Sequence, residues 1–191
     1  MRKNFGKKNW IVPQPVLIIT TYDENGVANA MNAAWGGMYD EYKVMICLST
    51  EHKTTQNILK SNEFVINFPS SKYAAEADYF GIETGNKVSD KIERAGLTIE
   101  KSKFVNAPII KEFPIALDCK CLSIQEVDEG TTIVIASVVN ASIDEAILDE
   151  NKKNIDDLKL DIISYDPIFH TYKRIGESVA KAFQSGVKFK K

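Results

Sequence analysis

The sequence predicts a mainly β chain with short helices, an α+β arrangement whose strands form a barrel or a partly open sheet. Three observations lead there. Short β-branched runs bounded by turn residues recur along the chain, and the helical signals between them are brief. Their order lacks the regular strand-helix-strand alternation of a parallel sheet. The longest strand signals, Phe113 to Val127 and Thr131 to Ile143, change phase near Cys121. There Ile115, Leu117, Cys119 and Cys121 alternate, after which Leu122 and Ile124 take the opposite face. Such a switch marks a bulge or bend, and strands that bend in this way close barrels.

Taken in order, Val16 to Tyr22 is a β-branched strand ending at Asp23-Glu24-Asn25-Gly26, whose Asn-Gly pair suits a tight hairpin. The second strand runs from Val27 to Trp35, Met38 to Tyr42 is a connection, and Lys43 to Ser49 is the third strand. Thr54 to Ser61 is a short helix with Ile58 on its apolar face, its start capped by the hydroxyl of Thr54 or a neighbour. Glu63 to Phe68 is a strand stopped by Pro69. Lys72 to Phe80 has Tyr73, Ala77 and Phe80 at helical spacing before Gly81, and a second helix covers Ser89 to Arg94 before Gly96. Together these form a helical insertion. The long strand pair turns at Asp128-Glu129-Gly130. Ile133 to Val139 is apolar on both faces, so it is covered on two sides, one cover being a partner subunit. Glu177 to Gln184 is a last short helix before Gly186.

Composition sets bounds. A chain of 191 residues with 44% hydrophobic and 26% charged residues fits one compact globular domain spanning 1–191. With 24 basic and 26 acidic residues there is no overall positive field for nucleic acid. Charge is uneven: Asp144 to Asp161 is acidic, while the tail carries Lys188, Lys190 and Lys191, which reads as a solvated face and a frayed end. Three cysteines make no disulfide framework. Cys119 and Cys121 form a C-x-C on one face of a strand, and because the other ligands on offer, Cys47, His52 and His170, lack zinc-finger spacing, the pair is read as buried free thiols. Pro13 and Pro15 interrupt the start of the chain, and no apolar run reaches the ~20 residues of a membrane span. The expectation is a soluble cytoplasmic protein with no membrane or nucleic-acid partner and no metal.

No G-x-G-x-x-G, P-loop, H-E-x-x-H or G-x-S-x-G motif occurs. The most suggestive stretch is Ser49 to Gln56, which leaves a strand, gathers four hydroxyls with His52 and Lys53, and enters a helix N-terminus. Free amides, the positive end of the helix dipole and a lysine together suit a phosphate. The same residues also suit an ordinary cap with surface charge. Asn29 to Trp35 is unusual for a strand, because small alanines leave room for a planar ligand. Tight packing against a neighbouring strand explains them as well.

Several segments nevertheless resemble the flavin reductase-like family, most closely its flavoredoxin branch. They are Val12-Pro13-Gln14-Pro15-Val16, Gly26-x-x-Asn29-x-x-x-Ala33-Ala34-Trp35, Ser49-x-x-His52-Lys53-Thr54 and Glu63 to Pro69, then Ser89 to Thr98 and Glu177-x-x-Ala180-x-Ala182-Phe183-x-x-Gly186. The resemblance covers nearly the whole chain. It implies an FMN-binding split β-barrel, a homodimer with flavin near the subunit interface. Carried over by position, Ala33, Ala34 and Trp35 lie along the isoalloxazine, with Asn29 and Asn32 hydrogen-bonding nearby. Ser49, Thr50, His52, Lys53 and Thr54 hold the phosphate, and Asn67 and Lys91 stand at the rim. Family members often carry Arg where this chain has His52 or Lys53. No general acid or base emerges. The implied role is an FMN-dependent redox protein: either an electron carrier with a protein partner or a flavin reductase using NADH or NADPH. A non-redox binding module that has kept the barrel and lost flavin is the alternative from another class.

Overall fold

The computed structural model describes residues 1–190. The main sheet is antiparallel and has seven strands: β2 (Leu17–Tyr22), β3 (Ala28–Ala33), β4 (Gly36–Asp40), β5 (Lys43–Ser49), β6 (Glu63–Phe68), β9 (Ile115–Asp128) and β10 (Thr131–Ile143), in the order β3-β2-β6-β9-β10-β5-β4. A three-stranded sheet joins β1 (Gln14–Pro15), β11 (Ile163–Asp166) and β12 (Thr171–Arg174), and β7 (Ile99–Lys101) pairs with β8 (Pro108–Ile110). Among the described residues there are three α-helices, α1 (Lys53–Ser61), α2 (Ala74–Ile82) and α3 (Lys91–Arg94), and three single 3-10 turns.

The chain steps from β3, one edge of the main sheet, to β4, the other edge, across only Ala34 and Trp35. Two linking residues span roughly 10 Å, whereas the edges of a flat sheet of this order would stand almost 30 Å apart. The sheet therefore curls into a barrel. No ladder joins β3 to β4, so the barrel stays split along that seam.

Inside the curl, Leu17, Ile19, Met31, Val44, Ile46, Leu48, Phe64, Ile66, Cys119, Val134 and Ala136 form the core, and Ile58 of α1 packs into it. The outer face of the β2-β3 hairpin is buried too: Ile18 and Ala30 pack with Ala77 and Phe80 of α2, Ile92 of α3, Ile110 and Ile163. Strand β2 thus has apolar side chains on both faces because the helical insertion covers the second one.

The hairpin forms where its residues predict, but Asn-Gly does not make the two-residue turn: Glu24 and Asn25 turn, Gly26 takes φ +78°, and the Asp23 carboxylate accepts from the backbone N–H groups of Asn25 and Val27. The bend in β9 is a bulge: Ile135 pairs with Ser123 and Ala136 with Cys121, leaving Leu122 without a partner.

Several expectations are corrected. Met38 to Tyr42 is not a connection, because Gly36–Asp40 pairs with β5 and only Glu41 and Tyr42 turn. A strand that begins Gly-Gly carries little β signal, yet Gly36 is needed, since a Cβ there would lie 2.8 Å from the Met45 carbonyl oxygen. Strand β3 ends at Ala33, before Trp35, where the chain crosses the seam. Helix α2 runs through Gly81 to Ile82, and α3 begins only at Lys91. Glu177 to Gln184 forms no helix; its residues are exposed and turn, so no buried face offsets the cost of nucleation. In β10, Val134 and Ala136 are buried, while Ile133 and Ile135 on the opposite face are half-buried. Strands β1, β7, β8, β11 and β12 carried too little local signal to be anticipated.

The basic tail is exposed at Lys188 and Lys190, while Lys191 lies outside the described residues. Cys47, Cys119 and Cys121 are free, with Cys119 buried. Among the described residues no helix is long and apolar enough to cross a membrane.

Candidate functional site

Helix α1 begins where β5 ends, and its own side chains tie that junction. Thr55 Oγ1 donates to the Ser49 carbonyl at 2.7 Å and Gln56 Nε2 donates to the Thr50 carbonyl at 2.6 Å. His52 is the cap residue, in extended backbone, and no side chain caps the helix. This corrects the expected hydroxyl cap: Thr54 Oγ1 instead accepts a hydrogen bond from Asn29 Nδ2 at 2.6 Å, and both residues are buried. The first-turn amides of α1 are thereby left without a side-chain acceptor, which makes this helix end an anion-attracting one.

A cleft of about 260 Å³ opens against this helix end. It is lined by Asn29, Asn32, His52, Lys53, Thr54 and Lys91, together with Met31 and the stretch from Phe80 to Gly85. A second cleft of about 280 Å³ lies at the split of the barrel, lined by Ala33, Ala34, Trp35, Cys47, Leu48 and Ser49. Met31, Asn32 and His52 line both, so the two clefts adjoin. Ten of the twelve residues singled out from the sequence line one cleft or the other.

The remaining two are held elsewhere. Thr50 Oγ1 lies 2.8 Å from the Thr132 hydroxyl on β10. Asn67 is fully buried; its Nδ2 donates to the Ile18 carbonyl and Thr20 Oγ1, and its Oδ1 accepts from Ile110 N–H. Its amide fastens β6 to β2 and β8, which is a structural use. Trp35, assigned to a strand, sits at the seam instead, about two-thirds exposed.

Charge at the polar cleft is graded. Lys53 Nζ is 3.4 Å from the Asp23 carboxylate and remains partly exposed. Lys91 is buried, its Nζ donating to the Glu83 carbonyl at 2.9 Å, and burial pushes its pKa down to about 8 against the attraction of Glu83. Partial burial of the His52 ring, and secondarily the charge of Lys91, holds that imidazole below its ordinary value. An anion entering here would favour the protonated form of both groups.

The segment Glu83 to Asn86 went unnoticed in the sequence. It lines the cleft beside the start of α1, with Lys91 holding the Glu83 carbonyl and Asn86 Nδ2 donating to the Glu51 carbonyl at 3.0 Å. A Cβ on Gly85 would lie 2.2 Å from Asn29 Oδ1, so only glycine fits there without displacement. The polar, glycine-containing run Glu83-Thr84-Gly85-Asn86 was the available signal, but nothing local linked it to Asn29.

Comparison with known proteins adds three likenesses and a family match. Residues 10–160 match the family model described as flavin reductase like domain. The flavoredoxin of Desulfovibrio vulgaris (Miyazaki F) superposes with a TM-score of 0.90 at 31% identity, covering 97% of this chain and all of that one. The flavoredoxin from Methanosarcina acetivorans superposes at 0.88 with 22% identity over the full length of both, a likeness of fold. An uncharacterized protein of Aquifex aeolicus (strain VF5) is 28% identical over 148 residues, 74% of each chain.

Proposed function

This chain belongs to the flavin reductase-like family, and from that premise we propose that it binds FMN across the two adjoining clefts and serves as a redox protein. The observation that carries this reading is the meeting of Asn29, Asn32, His52, Lys53, Thr54 and Lys91 in one cleft at the uncapped start of α1.

The residues present fit the group. The polar cleft offers first-turn amides, the Thr54 hydroxyl, the Lys53 ammonium and His52 to a phosphate. Thr54 Oγ1 already accepts from Asn29, so its own proton is available to donate. The seam cleft is lined by Met31, Ala33, Ala34, Trp35 and Leu48, small or apolar groups suited to a planar ring. Lys91 places buried positive charge beside the site and would stabilise an anionic ligand. Bound flavin would supply reversible electron transfer at its ring, and the protein would set its affinity and potential. No side chain is assigned as general acid or base.

Within this reading the chain is either an electron carrier with retained FMN or a reductase drawing on NADH or NADPH. We place residues 1–191 in one FMN-binding domain that works as a cytoplasmic homodimer, the half-buried outer face of β10 lying against the second copy. Its redox partner is a small molecule or a protein.

The test is the visible spectrum of the purified protein, recorded before and after FMN, then NADH or NADPH, then dithionite, under argon. Flavin bands that bleach with NADH or NADPH identify the reductase form. Bands that persist until dithionite identify the carrier. A colourless protein that takes up no added FMN, and whose melting temperature FMN does not raise, would overturn the proposal in favour of a non-redox binding module. Sedimentation near 21 kDa would remove the homodimer.

A further inference from the structure

Among the described residues, Asn32 is the only polar side chain other than His52 that lines both clefts. Its amide is held from outside the site. Nδ2 donates to the Ala77 carbonyl of α2 at 2.9 Å and to Tyr172 Oη of β12 at 3.1 Å. Tyr172 in turn donates to Asp78 Oδ1 at 2.9 Å.

The direction of every bond in this chain is dictated by chemistry. The Asp78 carboxylate and the Ala77 carbonyl can only accept. Tyr172 has one proton and gives it to Asp78, so towards Asn32 its oxygen must accept. Asn32 must then present Nδ2 to both Tyr172 and Ala77, which occupies both amide hydrogens and leaves Oδ1 as the free atom. Burial, reinforced by the hydrogen bond to Asp78 and its charge, pushes the Tyr172 phenol up and keeps it a donor.

We propose that Tyr172, supported by Asp78, is a positioning residue that locks the Asn32 amide so that Oδ1 is offered to the ligand as a hydrogen-bond acceptor. This rests on the FMN reading for the identity of the ligand, and it gives the small β1-β11-β12 sheet a part in the site. The group recognised is a hydrogen-bond donor on the bound flavin, an N–H of the ring or an O–H of the ribityl chain.

The perturbation is Tyr172→Phe, which keeps the ring that packs against Tyr165 at 6.0 Å and removes only the hydroxyl. Asp78→Ala, at an exposed position, perturbs the same relay without touching the core. Titration by quenching of FMN fluorescence should show wild type binding and Tyr172→Phe binding about 2- to 10-fold more weakly. Asp78→Ala should move in the same direction by less. In an Asn32→Ala background, Tyr172→Phe should have no further effect. An undiminished effect in that background, or an unchanged affinity in Tyr172→Phe while wild type binds, overturns the relay. Lumiflavin, which lacks the ribityl chain, separates the donors: an effect that persists puts the donor on the ring, and one that vanishes puts it on the chain. Failure of wild type to bind FMN would overturn the functional reading itself. The relay is then read from the side-chain amide NMR signals of Asn32, whose two protons should exchange slowly and lose that protection in Tyr172→Phe; unchanged exchange overturns it.

Discussion

Substituting Gly85→Ala should both destabilise the protein and weaken FMN binding, through a single contact. The new Cβ would lie 2.2 Å from Asn29 Oδ1, 3.0 Å from Asn29 Cγ and 3.2 Å from Lys53 Cβ. Ordinary contacts begin near 3.5 Å, so one side must retreat by roughly 1 Å. Asn29 cannot retreat freely, because it is buried and its Nδ2 is bound to Thr54 Oγ1 at 2.6 Å. If Asn29 moves, a buried donor loses its acceptor; if the loop lifts instead, the Glu83 carbonyl leaves Lys91 Nζ and Asn86 leaves the Glu51 carbonyl. Either route costs about 1–3 kcal/mol, the range for overpacking or for stranding one buried polar group. For a chain of this size that lowers Tm by about 2–12 °C, at 2–4 °C per kcal/mol. Affinity should fall about tenfold, because Gly85 lies against Lys53 and Asn29 is bonded to Thr54, so either displacement disturbs groups that line the cleft. Calorimetry without ligand and fluorescence titration with FMN check the two effects separately. A variant with unchanged Tm and unchanged affinity would refute the contact argument. Lost stability at unchanged affinity would separate the loop from the binding site.

Four further outcomes follow from the structure. Because Lys91 has a pKa of about 8 and must be charged to favour an anion, FMN affinity should decline as pH rises above about 8, by up to tenfold per unit, and Lys91→Met should abolish that break in a pH titration. In the ligand-free protein the sign reverses. Between about 8 and the ordinary lysine value near 10.4 the unfolded chain binds more protons, so Lys91 adds stability as pH rises, visible in melts of wild type against Lys91→Met. Thr54→Val keeps the shape and strands Asn29 Nδ2, so calorimetry should record a loss of about 1–3 kcal/mol; equal stability would mean that Asn29 finds another acceptor. Burial pushes the Cys119 thiol up and the Cys121 thiol up to about 11, so iodoacetamide near pH 7.5 should label neither residue until the protein unfolds, as mass spectrometry of native and denatured samples would show.

Much of the architecture was legible because its signals are local. The β-branched and apolar runs of β5, β6 and β10, the turn at Asp23 to Gly26 and the phase switch in β9 each depend on neighbours within a few residues, and each stands where its residues put it. The phosphate-cradle segment was legible for the same reason: a strand end, a helix start and the side chains between them are contiguous. Other features had no such signature. Strand β4 opens with two glycines and carries exposed Met38 and Tyr39, so its pairing with β5 cannot be read from its own pattern. The apolar spacing of Glu177 to Gln184 suggested a helix, but a periodic face becomes a helix only where something covers it.

The seam of the barrel illustrates the division. Local pattern and turn residues determined that this chain would build short strands around a long pair with a bend, since side chains two residues apart must share a face and a change of phase must interrupt the pleat. Which residues meet at the split was decided by the closure of the sheet, which joins β3 to the start of α1, Gly85 to Asn29, and Tyr172 to Asn32 across 140 residues of sequence. Asn29, Asn32 and Asn67 share one side chain and look alike in the sequence. One braces Thr54, one is held at both clefts and one fastens three strands together, because donor and acceptor roles are assigned by partners that only the folded chain brings within reach.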